Sequence, residues 1–170
     1  ATSGGELLKF VKKDKVKIIR LPVHSKNPVL IIFNALVLAI YIIFYKINIV
    51  HARSRAPAWT SYIASFLTNR VFVTTFHGTY NFKSNLKKFY NSIMLRANLT
   101  IAGSNFIFRH INENYSQYLH KEKKLRVIFR GINVDYYNSK NISILKREKL
   151  KQEWNLSSNQ FTILLPGRLT

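Results

Sequence analysis

Six short runs rich in β-branched and apolar residues set the terms for any fold this chain adopts: Val16–Leu21, Ile47–Val50, Val71–Phe76, Leu99–Ala102, Val127–Phe129 and Phe161–Leu165. Strands buried on both faces read as near-continuous apolar stretches, because neither face is left for polar side chains. Between the runs lie segments of helical length: Glu6–Lys13, Pro28–Tyr45, Pro57–Thr68, Ser84–Arg96, Asn105–Tyr118 and Ile144–Trp154. Pro57 suits a first helical position and Ser104 an N-cap. Strand and helix in regular alternation predict a parallel sheet with helices on both faces, a doubly wound α/β fold. The polar stretch Asn138–Asn141 is the best candidate linker. It divides an expected first domain, residues 1–138, from residues 139–170, which would supply a helix and the first strand of a second domain.

The apolar run Val29–Tyr45 is broken only by Asn34 and flanked by Lys26 and Lys46. Its length is at the lower limit for crossing a bilayer, about 17 residues. The flanking strand candidates decide against a crossing, since a spanning helix would separate them across the membrane, whereas a crossover helix lets both join one sheet. Contact with a membrane surface stays open. The formal net charge of +20 predicts attraction to polyanions, whether nucleic acid, anionic lipid or phosphorylated substrate. The lysines are scattered, however, and accompany abundant Asn, Ile, Phe and Tyr, as an AT-rich genome also produces. The absence of cysteine excludes a disulfide scaffold and thiolate metal sites.

Ligands of open parallel sheets bind beyond the carboxyl ends of the strands, where loops lead into helix N-termini. The residues at those places here are His51-Ala52-Arg53-Ser54-Arg55, His77-Gly78-Thr79-Tyr80, Gly103-Ser104-Asn105, Arg130-Gly131-Ile132-Asn133 and Gly167-Arg168. Arginine and histidine supply charge for an anion, and glycine lets backbone approach closely. Arg53 and Arg55 are read as a pair serving one anion ahead of a helix, against the alternative of two solvated surface arginines. His77 is read as a group projecting into the cleft, against a histidine that merely caps its loop. His51 is intermediate. His24, His110 and His120 read as structural or surface residues. No Walker phosphate loop, G-x-G-x-x-G, H-E-x-x-H or G-x-S-x-G is present, and the seven acidic residues are too scattered for a carboxylate pair or metal cage.

With these strand ends in view, the chain resembles the N-terminal domain of bacterial family-4 glycosyltransferases. The segments that carry the likeness are Ile49–Trp59, Phe72–Tyr80, Ile101–Ile107, Val127–Asn133 and Leu164–Thr170. The nearest resemblance is to enzymes of lipopolysaccharide and capsule assembly. It implies a GT-B architecture of two Rossmann-like domains facing across a cleft, with the acceptor held by the N-terminal one. It also implies metal-independent, retaining transfer from a nucleotide-sugar to a glycan or lipid-linked acceptor. No cofactor is expected, and the location implied is cytoplasmic, with the inner face of the membrane as an open alternative.

By the same resemblance, His77 looks like the family's catalytic cleft histidine, with Gly78 leaving room beside it. Arg168 looks like the donor-diphosphate arginine of a G-R motif, while Arg53, Arg55, Gly78, Thr79, Ser104, Arg130 and Gly131 are substrate-binding candidates by their strand-end positions. Phe129 and Asn133 depart from the family's usual proline and aspartate. The family's first strand and glycine-rich loop would precede Ala1, and Gly4-Gly5 does not replace that loop. Its donor-side lysine and paired glutamates would follow Thr170, so the chain alone is expected to transfer nothing measurable. The competing readings are a basic module for nucleic acid or anionic lipid, with nucleic acid the less expected partner, and a single-span membrane protein.

Overall fold

The computed structural model describes residues 1–11, 16–80, 82–119, 124–157 and 160–165. Contacts divide the chain into two units, Ala1–Arg130 and Gly131–Thr170.

The first unit is built on a four-stranded parallel sheet of β1 (Ile49–Ala52), β2 (Val71–Phe76), β3 (Leu99–Ala102) and β4 (Lys124–Val127), neighbours in chain order. The helices are α1 (Pro28–Phe44), α2 (Arg55–Leu67), α3 (Asn85–Ser92) and α4 (Asn105–Tyr115), with a 3-10 turn, Ile93–Leu95, continuing α3. Together these make the Rossmann-like α/β fold expected from the alternation. The register pairs Ala52 with Thr74, Phe76 with Ala102 and Ala102 with Val127. A parallel register puts all four carboxyl ends on one edge, and that is where the basic loops emerge.

Side chains alternate across the sheet. Ala52, Phe72, Thr74, Phe76, Thr100 and Ala102 point into a core completed by Met94, Leu95, Ile107 and Ile111. Two threonines are tolerable there because one carbonyl serves both. Met94 O accepts from Thr74 Oγ1 at 2.5 Å and from Thr100 Oγ1 at 3.1 Å. On the opposite face Ile49 and Val71 are exposed, and Val73, Leu99 and Ile101 only half-buried. Among the described residues, then, the apolar runs are matched by full burial on one face.

The structure moves or removes three expected strands. Val16–Leu21 joins no sheet, and its only pairing among the described residues is an isolated bridge between Thr2 and Arg20. A groove of about 420 Å³, lined by Ile19, Val23, Leu38, Ile47 and Ile49, lies along β1 where such a strand would have to pair. The fourth strand of the sheet ends at Val127 instead of beginning there. As an edge strand it tolerates Lys124 and Arg126 at alternate exposed positions, so the apolar residues alone mark its end and not its start. The ladder runs one bond further, from Ile128 N to Ala102 O at 3.0 Å. Phe161–Leu165 forms no strand, and Phe161 and Leu165 are 88% and 92% exposed. A strand is stable only when another strand satisfies its backbone.

Local chemistry explains the helix starts. Asn27 caps α1 by accepting from Val29 N at 2.9 Å, with Pro28 at the first helical position. Ser104 caps α4 by accepting from Ile107 N at 3.2 Å, as its position after β3 predicts. Helix α2 starts two residues earlier than Pro57 indicates, with Ser54 as its N-cap residue. Of the expected first helix, Glu6–Lys13, the described residues form a 3-10 helix over Glu6–Phe10, and Lys12 and Lys13 lie outside the described residues.

The second unit contains a 3-10 turn, Ser139–Asn141, and helix α5 (Ile144–Glu153). Ser143 caps α5 by accepting from Lys146 N, and Lys149–Glu153 and Lys151–Glu148 pair along its surface.

Candidate functional site

Several candidate residues sit one to three positions beyond a strand of the first unit. Arg53 follows β1 directly, His77 follows β2 and Gly103 follows β3, while Arg130 lies three residues past β4. The shared register brings three of them together. Arg53 Nε lies 3.0 Å from His77 Nε2, and Arg130 Nη2 lies 2.6 Å from His77 Nδ1. Arg130 Nη2 also donates to the His77 carbonyl at 3.1 Å, which ties the β4 loop to the β2 loop.

The imidazole therefore lies between two guanidinium groups. Burial lowers the His77 pKa, and the charges of Arg53, Arg130 and His51 lower it further, which favours the neutral form of the ring. A neutral imidazole carries one N–H and one in-plane lone pair. It can accept from one arginine only, and its own N–H then confronts a donor on the other. An acceptor-rich anion entering between these groups would resolve that conflict. His51 bonds Thr75 Oγ1 through Nε2 at 2.8 Å, and burial and Arg53 lower its pKa too.

A depression of about 390 Å³ adjoins this cluster, lined by His77, Gly103, Ser104, Ile107, Phe129 and Arg130. A Cβ on Gly103 would sit 3.6 Å from Arg130 Nε and from Phe76 O, in ordinary van der Waals contact with both. At Gly78 nothing lies within 4 Å of the corresponding point, leaving open space beside the imidazole. The Ser104 hydroxyl stands at this wall with its oxygen already engaged as the cap of α4. Thr79 is exposed two residues beyond His77. Gly131 opens the second unit, with nothing within 4 Å of a notional Cβ, and Arg168 lies outside the described residues.

Arg55 does not join the cluster. Its Nη1 donates to Asn91 Oδ1 at 2.8 Å, and its guanidinium stacks 4.5 Å from the centroid of Tyr80. Asn91 is fully buried and its Nδ2 donates to Tyr115 Oη at 3.0 Å. This chain of contacts ties the start of α2 to α3, α4 and the loop after β2. Asn91 and Tyr115 escaped sequence reasoning, although a polar residue on the inward face of an otherwise apolar helix end always needs a partner.

An open α/β sheet with a cationic rim at its carboxyl edge is the frame of proteins that hold phosphorylated ligands at strand ends. Residues 2–136 match Glycosyltransferase Family 4, and the chain belongs to that family. It is similar to a glycosyltransferase from Rickettsia africae ESF-5 known from a crystal structure, at 44% sequence identity and a TM-score of 0.78. The similarity covers 99% of this chain and 44% of that one, so the chain spans less than half of that protein's length. No curated protein matches it.

Proposed function

We propose that this chain is the acceptor-side part of a glycosyltransferase that moves a sugar from a nucleotide-sugar donor to a glycan or lipid-linked acceptor during surface-polysaccharide assembly. The carrying observation is the His77 ring lying between Arg53 and Arg130, at hydrogen-bond distance from both. Among the described residues no carboxylate is paired with these groups, so their charge is available to a phosphorylated ligand.

In the proposed transfer, the bond from the anomeric carbon to the diphosphate oxygen breaks and the acceptor oxygen takes its place, its proton passing to base or water. Charge develops on the departing diphosphate. Fixed guanidinium groups meeting that charge lower the barrier, which is why the reading is metal-independent. His77 faces the transferred sugar in this reading, Gly78 and Gly103 leave it space, and Arg168 belongs to the donor side. The donor-side domain is required for turnover. A basic module acting through bulk charge alone gives no reason for arginines to converge on one imidazole.

The test uses a longer polypeptide that joins this chain to the family's donor-side domain, assayed for transfer from a panel of labelled nucleotide-sugars. Arg53→Ala and His77→Ala should each lower kcat about a hundredfold or more with circular dichroism unchanged. Undiminished turnover in both variants would remove the site assignment.

A further inference from the structure

Residues 77–80 carry the ring at the centre of the cationic cluster, yet among the described residues their backbone makes no backbone–backbone hydrogen bond. Side chains hold this loop instead, and they take it at both ends. At its first residue Arg130 Nη2 donates to the His77 carbonyl, while Arg53 reaches the ring. At its last residue three contacts meet on Tyr80. The Arg55 guanidinium lies 4.5 Å from the Tyr80 ring centroid, and the Phe76 ring packs against it at 4.9 Å between centroids. Tyr115 Oη stands 3.5 Å from the Tyr80 carbonyl oxygen, the outer limit of a hydrogen bond.

The groups that fix Tyr80 are themselves fixed. Asn91 is fully buried; its Oδ1 accepts from Arg55 Nη1 at 2.8 Å and its Nδ2 donates to Tyr115 Oη at 3.0 Å. Having accepted there, the Tyr115 hydroxyl keeps its own proton for the Tyr80 carbonyl. Tyr115 is fully buried as well, and its ring meets Phe76 and Phe82 edge-on at 6.4 and 5.7 Å. A buried polar network with its members engaged favours one arrangement and so can fix a loop that lacks a ladder. The chain adds a second constraint. Arg53 and Arg55 stand two apart at the β1–α2 junction, and one bonds the first residue of the loop while the other stacks on the last. Only Gly78 and Thr79 separate His77 from Tyr80, and a glycine hinge beside the ring would let it swing if Tyr80 were released.

We infer that Arg55, Asn91 and Tyr115 are positioning residues, which clamp Tyr80 and thereby place the His77 ring between Arg53 and Arg130. Arg55 then serves the site through this network and not as a ligand group. The inference deepens the proposed role of the strand-end cluster and rests on it, but the placement of the ring can be read with no ligand present.

The experiment follows the imidazole resonances of His77 and His51 by NMR in the 170-residue chain and in variants whose fold is confirmed by circular dichroism. Tyr115→Phe removes one hydroxyl and keeps the ring. Arg55→Lys keeps the charge and loses the planar fork, so a change at His77 reports geometry and not lost charge. In both, the His77 resonances should move and its pKa should climb toward the ordinary histidine value, while His51 stays as it was. Tyr80→Leu should reproduce the change, and Tyr80→Phe, which keeps the ring and the carbonyl, should not. Affinity for inorganic diphosphate should fall about tenfold in Tyr115→Phe and Arg55→Lys. Variants that lose thermal stability while His77 titrates and binds diphosphate as before would overturn the inference, leaving the network a purely structural tie. So would a change at His51 as large as that at His77, which would mean general loosening. If the unsubstituted chain binds no diphosphate, the anion-site reading fails, and the His77 resonances alone decide the positioning.

Discussion

His77 gives up its proton more readily than a free histidine because burial, then Arg53, Arg130 and His51, all disfavour the imidazolium form. The same direction holds for His51 and His110, in each case with burial as the first cause. A histidine whose folded pKa is depressed contributes its stability in full above the unfolded value. As pH falls below about 6.5, the unfolded chain takes up protons that the folded one refuses, and stability drops. Thermal unfolding followed from about pH 7.5 to 5.5 should therefore show a falling Tm, with a shallower slope in His77→Gln. A bound anion reverses the local sign, since it stabilises the imidazolium. Affinity for inorganic diphosphate should rise over the same fall in pH, and a flat or opposite trend in a binding titration would contradict the proposed role of the ring.

At the scale of elements, Arg55 acts as a tie between the start of α2 and the α3–α4 layer. Arg55→Ala would remove the hydrogen bond to buried Asn91 and the stack on Tyr80. The expected cost is about 1–3 kcal/mol, read from chemical denaturation. Arg53→Ala removes no such buried partner and should cost much less, so the two arginines separate in a stability measurement. Sequence alone could not separate them. Two residues apart, they look equivalent until α2 is seen to begin at Arg55, which turns that side chain toward a partner 36 positions later. Other elements were more legible. The apolar run of β2 and the Ser104 cap are local properties and lie where the pattern puts them. The edge strand β4 and the unpaired Val16–Leu21 depend on what each strand has for a neighbour, and composition carries little of that.

For the whole molecule, the sequence reading of an α/β fold and its family holds, because the order and spacing of five strand-end segments are global features. The convergence on His77 was legible only in part: strand ends predict a shared rim, but not that two guanidinium groups would meet one ring. The outward face of α1, where Ile32, Phe33, Leu36, Ile40 and Phe44 are exposed, was equally hidden, since an all-apolar helix reads as buried until its packing is known. The overall charge of +20 makes any bound anion more favourable at low salt, but bulk charge cannot select a position. Selection of a position is the central claim: Arg53, His77 and Arg130 form one anion site at the carboxyl edge of the sheet. The direct test is an NMR titration with inorganic diphosphate, following histidine and arginine side-chain resonances. Saturable shifts confined to His77, Arg53 and Arg130, lost when both arginines become alanine, are the predicted result. Small shifts spread over lysines throughout the chain, unsaturated and indifferent to the double substitution, would contradict it.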